Sequence, residues 1–246
     1  MRRLILSDIH SNHQALRAVE DDARGRYDEI VCLGDFVGYG GSPCEVVEWS
    51  RARVNLCVRG NHDKGVVGLD DMEMFNSAAR QAAYWSRARL SSEDLLWLRS
   101  LPQGPVVDRG VTFVHGSPGN EDEYLTCSAD TIGVTEALET TICFFGHSHL
   151  QGGFRWRTGR CERLPRPSDE DSEIELALEE GAYYLVNPGS VGQPRDGDPR
   201  AAYLIWDDES RTVIYRRVEY DIEGAQKCIL DAGLPVLLAQ RLSRGR

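Results

Sequence analysis

The chain has 246 residues, 41% hydrophobic and 27% charged, proportions of a globular protein with ample length for one large core. Its formal net charge of −11 argues against electrostatic binding of nucleic acid, because phosphate backbones reward basic surfaces. That charge does not exclude a phosphate-bearing substrate, since bound divalent metals add local positive charge that a residue count omits.

Short apolar runs alternate with longer helical patterns, which predicts an α/β architecture. Leu4-Ile5-Leu6 reads as the first strand, followed by a helix over His13–Ala23 and a second strand over Glu29–Leu33. A helix over Cys44–Arg53 leads into a third strand, Val54–Val58. A long helix is expected from Asp70 to about Leu90, and another from Ser91 or Ser92, where Asp94 completes a capping box. Val111–Val114 and Thr141–Phe145 read as strands, and Gly153–Leu164 as a hairpin turning at Thr158-Gly159. The acidic stretch Pro165–Glu180 reads as a solvated surface insertion, partly helical around Ile174–Leu178. Tyr183–Val186, Ala202–Trp206 and Thr212–Val218 complete the strands; from Asp221 a helix, a glycine stop at Ala232–Pro235 and a second short helix are expected. One domain spanning residues 1–246 is expected, with a mixed sheet or two sheets face to face, flanked by helices.

No apolar run approaches the roughly 20 residues needed to cross a bilayer. The stretch Leu4-Ile5-Leu6 after Arg2-Arg3 is too short for a secretory signal, so a cytoplasmic protein with no membrane partner is expected. The seven cysteines are scattered and never spaced Cys-x-x-Cys, and Cys32, Cys57 and Cys143 lie in apolar runs, where a free thiol acts as a small hydrophobe.

Nearly every early strand ends in a metal-binding side chain. The ends read Asp8-Ile9-His10, Gly34-Asp35, Gly60-Asn61-His62-Asp63, His115-Gly116 and Gly146-His147-Ser148-His149. In open α/β sheets ligands bind outside the carboxyl ends of the strands, so these groups are delivered to one rim. Five of the six histidines fall in these segments, leaving only His13 outside. Neutral imidazole is the commonest metal ligand, and neighbouring glycines permit sharp turns and close backbone approach. Taken singly the motifs are weak, because an Asp-x-His after a strand usually caps a helix. Together, in order and each after a strand, they point to a metal centre.

The series resembles the calcineurin-like metallophosphoesterases, and most closely their small prokaryotic YfcE-like phosphodiesterase branch; Asn187-Pro188-Gly189-Ser190-Val191-Gly192 is similar to that branch's late signature. The resemblance implies a four-layer αββα sandwich, with two mixed β-sheets flanked by helices. It implies one metal held by Asp8, His10, Asp35 and His149 and a second held by Asp35, Asn61, His115 and His147, with Asp35 bridging. A shell of nitrogen and oxygen without thiolate suits two divalent transition metals, Mn first, with Fe, Ni or Zn as alternatives. The implied reaction is hydrolysis of a phosphate ester by a hydroxide held between the two metals. His62 would stabilise the transition state or protonate the leaving group, with Asp63 orienting its ring.

Three further residues are candidate substrate contacts: Asn12, for which helix capping is the rival role, and Arg59 and Arg195, for which ion pairing is the rival. Phe36 and Tyr39, in the loop after Asp35, are candidates for the mouth of the site. Protein phosphatases and dinucleoside tetraphosphatases carry an acidic or amide residue followed by Arg where this chain has Gly38-Tyr39, so a phosphodiesterase for a small or nucleotide-like substrate is favoured. The alternatives are a phosphomonoesterase or protein/dinucleotide phosphatase of the same family, or a non-catalytic metal-binding scaffold. A nuclease is disfavoured by the acidic charge, and the oligomeric state is left open.

Overall fold

Strand β1 (Arg2–Leu6) turns Leu4 and Leu6 to one side and Ile5 to the other, all three fully buried. Successive strand residues point to opposite faces, so a sheet covered on both sides reads as a continuous apolar run. The computed structural model describes residues 1–168 and 170–246. In its first sheet β1 runs parallel to β2 (Glu29–Cys32), which runs parallel to the short β3 (Leu56–Cys57). On the other side of β1 lie β11 (Ala201–Asp207), β12 (Thr212–Val218) and β9 (Glu173–Ala177), each antiparallel to its neighbour. The second sheet has the order β4 (Val106–Asp108), β5 (Val111–Phe113), β6 (Ile142–Phe144), β10 (Tyr183–Asn187), β7 (Gly152–Arg157) and β8 (Arg160–Arg163), with β5, β6 and β10 parallel.

The sheets face each other across Ile5, Val31, Leu204 and Trp206 from the first and Phe113, Phe144, Tyr184 and Val186 from the second. Helices α1 (His13–Asp22), α2 (Pro43–Arg53) and α5 (Ser92–Ser100) cover the outer face of the first sheet, burying Leu16, Val19, Val46, Val47 and Leu98 against Leu4, Leu6 and Ile30. The outer face of the second sheet is covered by Leu125 and by a loop holding two 3₁₀ turns, Ser128–Thr131 and Val134–Ala137. The expected four layers are present, with the fourth built of these tight turns. Two further helices, α6 (Ile222–Asp231) and α7 (Val236–Leu242), pack with α4 (Ser77–Arg89) into a satellite core around Tyr39. All seven cysteines are unbridged, and no helix among the described residues is long and apolar enough to cross a membrane.

The local signals act as read at three places. Ser91 and Asp94 form a reciprocal capping box at the start of α5. Thr158 and Gly159 take φ of 48° and 75° in the β7–β8 turn, and Gly233, at φ 69°, separates α6 from α7. Two expectations fail. The helix expected from Asp70 begins only at Ser77, because Asp70 and Asp71 accept the backbone N–H groups of Met72 and Glu73 and fold that stretch into turns. The segment Ile174–Leu178 is not helical: Ile174–Ala177 belong to β9, with Ile174 opposite Tyr215 of β12. Glu173-Ile174-Glu175-Leu176 alternates with period two, which is a strand pattern. The second half of the acidic stretch is therefore a sheet edge rather than an insertion; residue 169 within it lies outside the described residues.

Replacing Ile5, buried between the sheets, with Ala should cost about 2–5 kcal/mol of unfolding free energy in urea titrations. Replacing Ile132, 72% exposed, with Ala should change it by no more than about 0.5 kcal/mol.

Candidate metal centre

The strand ends converge because the chain turns sharply just past each of them. Asp8, His10, Asp35, His147 and His149 all have φ between 48° and 63°, a left-handed conformation uncommon for residues other than glycine. Such strain persists where the surroundings over-determine it, and it clusters at functional sites. Here the backbone ties one strand end to the next: Asp8 N donates to Gly34 O at 3.0 Å, His10 N to Asp35 O at 2.9 Å, and Gly146 N to His115 O at 2.8 Å. Gly60 leaves room for Asp35, since a Cβ on it would lie 2.0 Å from Asp35 Oδ1.

Two groups of donor atoms result, all buried. Asp8, His10, Asp35 and His149 form one, and Asp35, His115 and His147 the other, each set of ligand atoms within 4.8 Å of one another. Asp35 Oδ2 lies 3.5 Å from His10 Nε2 and 3.5 Å from His115 Nε2, so it belongs to both. Asn61 joins the second group, with Oδ1 3.2 Å from His115 Nε2. The seven residues expected to bind metal are thus brought together in the expected division.

The hydrogen bonds on the far side of each ring show which nitrogen is free. A backbone carbonyl can only accept, so a ring nitrogen bonded to one carries the hydrogen, and the opposite nitrogen of a neutral ring presents a lone pair. His10 Nδ1 donates to Val37 O at 3.0 Å, His115 Nδ1 to Leu33 O at 2.7 Å, and His149 Nδ1 to Gln193 O at 2.6 Å. His147 is held the other way round, with Nε2 donating to Asp122 O at 3.1 Å. The inward nitrogens then face one another, His10 Nε2 to His149 Nε2 at 3.1 Å and His147 Nδ1 to His115 Nε2 at 3.1 Å. Facing lone pairs repel unless a cation or proton lies between them. Asp8 Oδ1 is likewise buried without a hydrogen-bond partner. The donor set fits divalent metal ions.

The charge states agree. Burial holds His10 and His149 well below the usual imidazole range and His147 down at about 3, so these rings are neutral. His115 goes the other way: burial works against its charge, but the carboxylate of Asp35 outweighs it and raises the ring to about 10. A cation entering the second group must displace that proton.

The remaining candidates separate. The His62 backbone N–H donates to Asp35 Oδ1 at 2.8 Å, and its ring packs against Tyr39, Phe75 and His10 with centroids 4.4, 4.5 and 4.8 Å away. Asp63 is not placed to orient that ring. Its carboxylate accepts from the backbone N–H groups of Asp35, Phe36, Val37 and Gly60, and so shapes the loop that carries Asp35. Asn12 caps α1 through Ala15 N at 3.1 Å and donates to Gly192 O at 2.9 Å, and both ends are thereby committed to the fold. Arg59 is also committed, in a bidentate pair with Glu121 at 2.9 and 2.8 Å. Arg195 differs: it donates to Gln193 Oε1 at 3.2 Å and lies over the Tyr39 ring at 5.5 Å, with no carboxylate partner among the described residues. Phe36 packs inside against Trp97 rather than at the mouth.

A cleft of about 360 Å³ opens beside the second group, lined by Tyr39, Asn61, His62, Phe75, Tyr124 and His147. Tyr124 stacks on His147 at 3.8 Å. Sequence reasoning missed Phe75, Tyr124 and the carbonyl partners of the histidines. Aromatic residues in loops carry no periodic signal, and a carbonyl has no residue type to recognise.

The geometry predicts that Gly60→Ala, by pushing Asp35 aside, lowers the metal content measured by elemental analysis after loading and desalting. Gly119→Ala, whose added Cβ meets nothing within 4 Å, should leave it unchanged.

Comparison with known proteins identifies the family. The family model of the calcineurin-like phosphoesterase superfamily domain matches residues 1–211. An uncharacterised protein of Methanocaldococcus jannaschii is 37% identical over 98% of this chain and 97% of its own length. The crystal structure of a metallophosphoesterase from Sphaerobacter thermophilus is 40% identical and superposes with a TM-score of 0.86, covering 100% of this chain and 99% of that one. The Escherichia coli phosphoesterase Yfce is 20% identical with a TM-score of 0.44, over 85% of this chain and 89% of that one. The chain belongs to the calcineurin-like phosphoesterase superfamily, as a hydrolase of phosphoric esters.

Proposed function

We propose that the protein is a phosphodiesterase that uses two divalent transition metals, Mn²⁺ foremost, to hydrolyse a small or nucleotide-like phosphate diester. The observation that carries this reading is Asp35, a buried carboxylate standing 3.5 Å from a histidine of each donor group. One carboxylate has two oxygens to share between two cations. Ions held there would polarise the phosphoryl oxygens and lower the pKa of water from about 15.7 to about 7. The chain's own residues do the rest.

Arg195 faces the site from the Tyr39 side and would hold the non-bridging phosphate oxygen, since guanidinium suits oxyanions. The shape of the cleft beside the centre favours a diester. Its aromatic wall of Tyr39, Phe75 and Tyr124 would receive the second organic group that a diester carries and a monoester lacks. The net charge of −11 is unsuited to a nucleic-acid chain.

His62 lines this cleft, and burial brings its ring down to about 4, so at pH 7 it is neutral. It would act by donating a hydrogen bond to the leaving oxygen. An anionic substrate raises the ring's pKa, so that the ring would take up a proton on substrate binding and give it to the leaving oxygen as the ester bond breaks, returning to the neutral form.

Hydrolysis of bis-p-nitrophenyl phosphate and p-nitrophenyl phosphate, each with and without Mn²⁺, tests the reading. Metal-dependent turnover with higher kcat/KM for the diester is expected. Asp35→Asn should lose more than the roughly 10–100-fold that removal of an outer partner costs, and Arg195→Met should raise KM. Preference for the monoester overturns the diesterase reading, and metal-independent turnover overturns the role of the centre.

A further inference from the structure

One buried ammonium group is left unused by this mechanism. Lys64 lies on α3 (Asn61–Val66), the short helix that begins with Asn61 and His62, and its side chain is only 9% exposed. Its Nζ reaches three carboxylates from two other segments: Asp122 at 2.5 Å, Glu121 at 3.3 Å and Asp70 at 3.6 Å. Burial opposes the charge, but Asp122 and Glu121 outweigh it and raise the ammonium pKa. A lysine is rarely buried to this degree without an arrangement of this kind.

The partner that matters is Asp122. Its side chain holds Lys64, and its backbone carbonyl accepts the Nε2–H of His147. Of the four clustered histidines, His147 is the one anchored through Nε2; the other three are anchored through Nδ1 to Leu33, Val37 and Gln193. Leu33 and Val37 directly flank the Gly34-Phe36 segment, and Gln193 follows the Gly192 backbone bond to Asp8 O at 3.0 Å, so these three carbonyls sit on backbone bound into the rim. The Asp122 carbonyl sits in the connection after β5, where the backbone bonds Ser117 N to Asn120 O and Glu123 N to Asn120 O are local to the loop. Ion pairs of Lys64 in α3, and of Arg59 just before it, with Glu121 and Asp122 join this loop to that part of the rim.

Resting on the two-cation reading above, we propose that Lys64 is a positioning residue for the second cation: by gripping Asp122 it fixes the carbonyl that orients His147 and so turns His147 Nδ1 toward Asp35, Asn61 and His115. The first group, Asp8, His10, Asp35 and His149, contains no atom anchored by this loop. Loss of Lys64 should therefore separate the two cations.

The test is calorimetric titration of the metal-free protein with Mn²⁺, comparing wild type with Lys64→Met and Lys64→Arg. Wild type should bind two cations. Lys64→Met, which keeps the stem and removes the charge, should keep the first and weaken the second by roughly 10–100-fold, the usual effect of losing an outer partner. Lys64→Arg should recover most of that loss, which a purely space-filling role would not produce. If Lys64→Met is too unstable to titrate, Asp122→Asn, which alters only the carboxylate held by Lys64, should show the same selective loss. The proposal is overturned if Lys64→Met or Asp122→Asn binds both cations as wild type does or weakens both equally, or if Lys64→Arg recovers none of the loss. A wild type that binds only one cation overturns the two-cation reading, and this proposal with it.

Discussion

The structure depends on keeping the charge of Asp35 in the interior. The residue is 1% exposed, and an isolated carboxylate at such a place would cost many kcal/mol. It is held by a backbone amide, from His62 to Oδ1, and by the histidines at 3.5 Å on either side of Oδ2. His115 carries a proton in response, and metal cations would replace that proton with greater charge. The surrounding fold can be understood as the means of holding this arrangement. Two sheets, glued by Phe113, Phe144 and Trp206, bring the carboxyl ends of β1, β2 and β3 against those of β5 and β6.

The cost of the convergence appears in the backbone. Five residues of the two donor groups adopt left-handed conformations, and glycines at 60 and 146 allow approaches that any Cβ would block, the latter at 1.9 Å from Ser7 Oγ. Asp63 offsets part of this by drawing four amides of the bent segments onto one carboxylate. Each strained turn is thus held by hydrogen bonds from a different element, and the geometry survives because no single loop carries it.

The cluster of donor residues was legible in the sequence because its residue types recur at one structural position, the end of a strand, and their chemistry differs from what packing requires. The strands were legible for the same physical reason: β1, β6 and β11 are buried on both faces and read as unbroken apolar runs. What failed was decided by local competition or by geometry without a signature. Asp70 and Asp71 took backbone amides that a helix would have used. The acidic side chains of β9 masked an alternation that marked a strand. Asn12 and Arg59 stood near the donor residues in sequence and are committed to the fold, whereas Arg195, equally ambiguous in sequence, has no carboxylate partner among the described residues. The role of Asp63 was misread because adjacency to His62 in the chain does not set the direction of its side chain.

The central claim is that two cations share Asp35. Diffraction from crystals grown with Mn²⁺, with data collected at the manganese absorption edge, addresses it directly. The account predicts two anomalous peaks about 3.5–4 Å apart, one among Asp8, His10 and His149 and the other among Asn61, His115 and His147, with Asp35 between them. A single peak, or two peaks of which only one lies beside Asp35, would contradict it.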